Sequence, residues 1–345
     1  MLLFGTRALL GDALAALPAD VPRARCFGCS SAGHMAGAAL LEESVVATFV
    51  WFDRARIESA WRPVTPAMAV QELGAALVRD LPREELRHVL VLSDGVLLNG
   101  SELVAGINAA LPPGVSASGG LAGDDGNWKT TTVICRGELI DSGAVVAVGF
   151  YGPLEVGAGA LGGWIPFGPS RRVTRSTSNV LSQLDGESAL ALYKRYLGPF
   201  AAELPGSALL FPLELQTASG TVARTVLGVD EAQGTLTFAG DLPEGATVRM
   251  MRTNLEKLVD GATGAAVAAK RAQPPVLALL VSCVGRKLVL KQRVEEELDA
   301  VREIFGAQTA LAGFYSYGEI GPGQTGQCSE LHNQSMTVTT LAEVA

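Results

Sequence analysis

The stretch Leu277-Ala278-Leu279-Leu280-Val281-Ser282-Cys283-Val284-Gly285-Arg286 begins with five apolar residues and ends in a polar, glycine-bearing loop. Such a pattern marks a buried strand followed by a turn. A helical stretch, Val294 to Phe305, then leads to Gly313-Phe314-Tyr315-Ser316-Tyr317-Gly318-Glu319. The same order occurs twice upstream. Val89-Leu90-Val91-Leu92 ends at Ser93-Asp94-Gly95, a helix from about Gly100 to Ala110 follows, and Ser118-Gly119-Gly120-Leu121-Ala122-Gly123-Asp124 closes the unit. At the N-terminus Leu2-Leu3-Phe4-Gly5, a helix from about Ala8 to Leu17, and Gly28-Cys29-Ser30-Ser31-Ala32-Gly33-His34 repeat it. Recurrence of strand, helix and glycine turn in one order predicts sheets assembled from a repeated supersecondary unit. Aligning the closing turns puts Gly33, Gly123 and Gly318 together, each before a polar residue: His34, Asp124 and Glu319. A glycine at such a place implies positive φ or a close approach, and puts the following side chain at a turn rather than in a core.

Outward from this unit, 345 residues suit two or three domains. Apolar residues make up 48% and charged ones 18%, the balance of a folded globular chain. The net charge of -8 argues against nucleic acid or an anionic membrane as main partner. No uncharged apolar run approaches the ~18 residues that a membrane-spanning helix needs. Leu2 to Leu17 lacks a basic start and is interrupted by Arg7 and Asp12, so it reads as strand and helix rather than a signal peptide. Five cysteines are too few and too scattered for a disulfide framework and fit a reducing cytoplasm. Cys26 and Cys29 have C-x-x-C spacing, but no further ligand pair accompanies them and no helix start follows, so neither zinc nor a redox role is expected there.

Taken in order, Ser44 to Phe52 is β-branched and aromatic and predicts a long antiparallel strand. A helix is predicted over Ala67 to Val78, with Val70, Leu73, Leu77 and Val78 on one face. Asn99 stands at an N-cap with Glu102 completing a capping box, while the loop Ser93 to Asn99 lies where open α/β sheets hold ligands. Lys129 to Phe150 reads as a meander, Gly157 to Pro169 as a glycine-rich inter-domain connection, and Arg171, Arg172 and Arg175 as guards of an edge strand. Residues 188–197 predict an amphipathic helix after a boundary near Asp185-Gly186, residues 209–252 a β-rich segment, and Leu255 to Arg271 a helix. Glu330 to Leu341 alternates as one strand, with His332, Gln334 and Met336 on one face. The fold class expected is α+β, with mixed or antiparallel sheets, helices outside, and domains at 1–186 and 187–345.

The chain has no Walker A sequence, no G-x-G-x-x-G after its first strand and no H-E-x-x-H. Gly28 to Gly33 is too long for a nucleophile elbow and precedes a strand. Three histidines, at 34, 88 and 332, all but exclude a multi-histidine metal site and leave a single axial haem ligand open.

Together, Gly28 to Gly33, Ser93-Asp94-Gly95 with Asn99-Gly100, Gly119 to Asp124, Gly163-Trp164 with Gly168-Pro169, Ser282-Cys283, Gly285-Arg286, Gly313 to Glu319 and Leu331-His332-Asn333-Gln334 resemble the FIST family over nearly the whole chain. The resemblance implies paired FIST N and FIST C domains forming a sensory input module. Its partner would be a separate signalling protein, such as a histidine kinase or chemotaxis receptor, and its ligand a small molecule such as an amino acid. Some members look like haem-based nitric oxide sensors. Where many relatives carry Glu after the second glycine of the first turn, His34 stands here.

Three readings follow. The first is a cytoplasmic ligand-binding sensor whose site combines Asp94, Asn99, Gly120, Asp124, Cys283, Arg286, Tyr317, Glu319, His332 and Asn333. Arg286 would hold a carboxylate and the acids an ammonium. The second is a haem sensor with His332 or His34 as axial ligand. The third is a hydrolase or transferase using Cys29, Ser30 or Cys283. For the first, Arg286 and His332 are expected to face one cavity, with Glu319 or an acidic ligand supplying the carboxylate that a buried guanidinium requires.

Overall fold

The computed structural model describes residues 1–65, 68–141, 143–326 and 328–344. In it the repeated stretches become three βαβ units. In the first, Leu2–Gly5 and Phe27–Ser30 pair in parallel. In the middle unit Leu86–Ser93 pairs with Ser116–Leu121 across the helix Gly100–Ala110. In the last, Leu277–Cys283 pairs with Ala310–Ser316 across two helices, Val284–Leu290 and Val294–Phe305. The registers coincide: Gly5 lies opposite Ser30, Ser93 opposite Leu121, and Ser282 opposite Tyr315. Each unit also receives its own return strand antiparallel to its first strand, namely Val45–Thr48, Ala144–Tyr151 and Met336–Glu343.

What joins the units is an exchange of strands. The strand after each closing turn leaves its unit and completes the sheet of another. His34–Ala36 pairs with Ala310–Ser316 of the last unit, Val133–Cys135 with Phe27–Ser30 of the first, and Gly318–Pro322 with Ser116–Leu121 of the middle one. The turns themselves close a ring of backbone bonds: Ala32 N–H to Tyr315 O, Gly123 N–H to Ser30 O, and Tyr317 N–H to Leu121 O, at 2.9, 3.0 and 3.1 Å. No unit satisfies its backbone groups alone, so the three stand or fall together. One core cluster accordingly runs from Ala32 to Val338.

The closing-turn alignment holds for two units and slips in one. His34 lies opposite Phe314 and Glu319 opposite Gly120, at equivalent places. Opposite Cys29 the middle unit places Val133, because the loop from Asp124 to Thr131 is inserted before the strand. Gly33 has φ +126°, and a Cβ on Gly123 would lie 2.7 Å from Ala32 N, so one glycine serves dihedral freedom and another close approach. His34 and Glu319 are 1% and 0% exposed, in the core rather than at open turns as expected. The exchanged strands carry them under neighbouring sheets.

Residues 165–252 form a separate antiparallel sheet of eight strands with its own core around Val173, Leu181, Tyr193, Leu236, Phe238 and Met250. Ile165–Thr177 runs inside it, between Val180–Leu184 and Thr247–Arg252, so Arg171, Arg172 and Arg175 do not guard an edge. The Gly157 to Gly163 stretch is no free connection either. Leu154–Leu161 is a strand beside Met336–Glu343, and its small residues let the helix Leu255–Ala269 lie against it. A Cβ on Gly157 would meet Ala269 O at 1.8 Å. The single strand expected over Glu330 to Leu341 is broken at Gln334, φ +58°, into Ser329–His332 and Met336–Glu343, which enter different sheets. The expected helix over Ala67 to Val78 is Val70–Arg79, its predicted start at Ala67 lying outside the described residues. The strand expected over Ser44 to Phe52 stops at Thr48.

Candidate functional site

Arg286 is 0% exposed and sits one turn into the helix after Leu277–Cys283. Its Nε and Nη2 donate to Glu297 Oε2 at 3.0 and 2.7 Å, Nη2 also donates to Leu258 O at 2.7 Å, and Nη1 to Gly162 O at 2.6 Å. Glu297 Oε1 accepts from Ser282 Oγ at 3.0 Å and Tyr315 OH at 2.6 Å. The partner is therefore Glu297, not Glu319 or a ligand, and Arg286 lies behind a cavity wall rather than facing His332. Glu297 had a readable signal. It falls on the stripe Val294, Leu298, Val301 of its helix, all buried, and an acid on a buried stripe requires a buried cation.

Glu319 has a different environment. Its Oε1 accepts from Ser316 Oγ at 2.9 Å, and Oε2 from the N–H and Oγ of Ser335 at 3.1 and 3.0 Å. Burial pushes its carboxyl up to about 8, against the lowering effect of the Ser316 and Ser335 bonds and the Arg286 charge. Gly120 lies opposite it, where a Cβ would come 2.7 Å from Val281 Cγ1. Burial, followed by the nearby Glu319 charge, raises the Cys283 thiol far above its ordinary value.

Ser335 leads outward to a cleft of about 540 Å³ between the strand Leu154–Leu161, the 165–252 sheet and the turns at 322–326 and 332–335. His332, Asn333 and Ser335 line it, with Trp164, Thr221 and Gln324. Asn333 is 2% exposed. Its amide nitrogen donates to His332 O at 2.9 Å, while its buried Oδ1 has no partner. Gln334, beside it, also holds a buried Oε1 without a partner, and its carbonyl accepts from Trp164 Nε1 at 2.9 Å. Buried acceptors are nearly always satisfied, so one on a cleft wall marks a place for a donor. Arg286 contributes here indirectly, by holding the carbonyl of Gly162 in the wall.

The other expected site residues hold loops. Asp94 accepts from Val96 N–H, Leu97 N–H and Thr131 Oγ1 at 2.8, 2.6 and 2.7 Å. Asn99 caps its helix by accepting from the N–H of Ser101 and Glu102, and its amide donates to Asp241 Oδ1 at 2.6 Å, tying the middle unit to the 165–252 sheet. Asp124 closes the inserted loop, accepting from Tyr317 OH and the N–H groups of Trp128, Lys129 and Thr130. Burial alone would raise its carboxyl, but those donors outweigh it and hold it below its ordinary value. Trp128 stacks on Tyr317 with centroids 3.6 Å apart. Tyr317→Phe keeps the stack and removes the hydroxyl, so it is expected to lower unfolding free energy by about 1 to 3 kcal/mol. Urea titration checks this, and a change below about 0.5 kcal/mol would show that the hydroxyl is dispensable.

The structure does not suit the haem or nucleophile readings. His34 uses both ring nitrogens, on Ser31 and Ser44, as does His88, on Ser116 and Ser118. His332 likewise engages Nε2, on Pro322 O at 3.0 Å. A reactive thiol requires a lowered pKa, and burial raises both Cys29 and Cys283 well above the ordinary value. Ser30 Oγ accepts from Thr132 N–H and has no base beside it among the described contacts. Burial likewise raises Cys26.

A family model described as FIST N domain matches residues 1–187, and one described as FIST C domain matches residues 189–322. The models meet inside the 165–252 sheet, next to the turn at Asp185-Gly186. Uncharacterized proteins from two strains of Mycobacterium tuberculosis are 26% identical over 330 residues, covering 90% of this chain and 82% of theirs. An uncharacterized protein of Methanocaldococcus jannaschii is 27% identical over 196 residues, 52% of this chain and 37% of that protein.

Proposed function

The chain belongs to the FIST family, and on that footing we propose that it binds a small ligand in the cleft beside Asn333 and acts on a separate signalling protein. FIST domains are associated with sensing in signal transduction. The observation that carries the proposal is Asn333, which lines the cleft and holds a buried Oδ1 without a partner. It accepts from an ammonium or amide N–H, as an amino acid or its amide would present. Among the described residues the lining has no lysine or arginine, since Arg286 is engaged by Glu297. A ligand carboxylate would rely on Thr221 and Gln324, so amides and amines should bind better than free acids. The cleft lies between the repeated units and the 165–252 sheet, so occupancy would change how the two are seated. A histidine kinase or chemotaxis receptor would read that change, and a cytoplasmic location suits such a partner. No described helix is long and apolar enough to cross a membrane.

A thermal-shift panel of amino acids, amino-acid amides and dipeptides tests this. A ligand at a hundred times its Kd should add about 2.7 kcal/mol of stability. The expected result is a shift with amides that Asn333→Ala abolishes. A panel without any shift, or a shift that Asn333→Ala leaves intact, would overturn the assignment.

A further inference from the structure

The three sheets share one plan and differ at one place. The outer side of the middle return strand is covered by Arg56–Pro63, antiparallel from Ala144 opposite Pro63 to Tyr151 opposite Arg56. The outer side of the last return strand is covered by Leu154–Leu161, antiparallel from Leu154 opposite Glu343 to Leu161 opposite Met336. The first return strand, Val45–Thr48, is the end of its sheet, and among the described residues no strand pairs with its outer side.

Three observations show that this edge strand faces solvent and carries no guarding residue of its own. Val46, Ala47 and Thr48 line a groove of about 440 Å³, walled on the far side by Gly37, Arg302 and residues 307–311. Phe49 and Trp51 stack at 5.7 Å while 40% and 79% exposed. From Ser44 to Phe52 there is no charged residue, proline or glycine. Soluble proteins ordinarily blunt an edge with such residues, because its free N–H and C=O groups template another strand.

We propose that Val45–Thr48 is a dimerisation edge, extended antiparallel by the same strand of a second copy. The two covered edges show that this position in the plan takes an antiparallel strand. A strand pairing with itself in that sense is two-fold symmetric and self-complementary. Centred on Ala47, which then faces its own copy, the pairing sets Val46 opposite Thr48 and Val45 opposite Phe49, so no charge meets a charge along the uncharged run. The edge strand offers a foreign strand no charge to be selected by, whereas its own copy fits it by symmetry. Each copy carries a net charge of -8, so association should strengthen as salt screens the repulsion.

The test is light scattering with size exclusion on the full chain, from about 1 to 100 μM, a range that brackets a micromolar Kd, at low and high salt. Twice the monomer mass, favoured by salt, is expected for the parent chain. Ala47→Lys and, separately, Trp51→Glu should each weaken association by at least about tenfold, with far-UV CD unchanged and Tm unchanged at the lowest concentration, where the parent is monomeric too. Trp51 is exposed enough that its replacement leaves folding intact should Ala47→Lys fail to fold. A parent chain that stays monomeric throughout would overturn the proposal. So would a dimer that survives Trp51→Glu, or association that weakens with salt, which points to ion pairs elsewhere on the surface rather than this uncharged edge.

Discussion

Arg286→Met is expected to lower the unfolding free energy by about 3 to 5 kcal/mol, the usual consequence of removing one member of a buried ion pair. The side chains of Arg286 and Glu297 are both 0% exposed, so solvent cannot replace the lost charge. The carboxylate would keep only the Ser282 and Tyr315 hydroxyls, and the carbonyls of Gly162 and Leu258 would lose their donor. Chemical denaturation measures the loss. The double substitution Arg286→Met with Glu297→Met should recover a large part of it, because two apolar side chains leave no orphaned charge. A single substitution costing less than about 1 kcal/mol would show that water reaches the pair. The substitution should also loosen the cleft, because Arg286 holds its Gly162 wall.

The second large effect is a dependence on pH centred on Glu319. Its carboxyl is pushed from 4.5 up to about 8, so the folded chain keeps a proton that the unfolded chain releases. Stability from this group is fully present below pH 4.5 and is lost as pH rises toward about 8. The slope is about 1.4 kcal/mol per pH unit, and about 5 kcal/mol at most over the window. Burial lowers His34 and His88 to about 4 and His332 in the same direction, so these act on the acid side, where stability rises with pH toward 6.5. The range from 6.5 to 8 therefore isolates Glu319 from the histidines. Glu319→Gln keeps the shape and removes the titration. Denaturant midpoints of the parent should fall across that range relative to those of the variant, in which the Met1 amino group, lowered from 8.0 by burial, leaves only a rise with pH. Parallel curves for the two proteins would mean that Glu319 is ionised in the folded state and held so by Ser316 and Ser335.

Local pattern determined a good deal about this protein by itself. The apolar runs at Val89 and Leu277, the N-cap at Asn99 and the helical stripe of Val294 to Phe305 are set by neighbours a few residues apart, and each appears where periodicity and capping chemistry place it. The recurrence of strand, helix and glycine turn likewise identified the repeated unit, and its motifs the family. Tertiary structure decided the partners. Strand exchange carries His34 and Glu319 under other units' sheets and buries residues that a turn would have exposed. Gly162 comes to Arg286 across 124 residues and Ser335 to Glu319 across 16. A hydrogen bond to a backbone carbonyl or a serine is available to almost any chain position, so pattern cannot select it. Asp94, Asn99 and Asp124 bind the loops they stand in, because short polar side chains satisfy the nearest free N–H groups before any ligand can. Asn333 reaches the cleft because the chain breaks its strand at Gln334, in the left-handed region, a turn that the alternating pattern of Glu330 to Leu341 did not show.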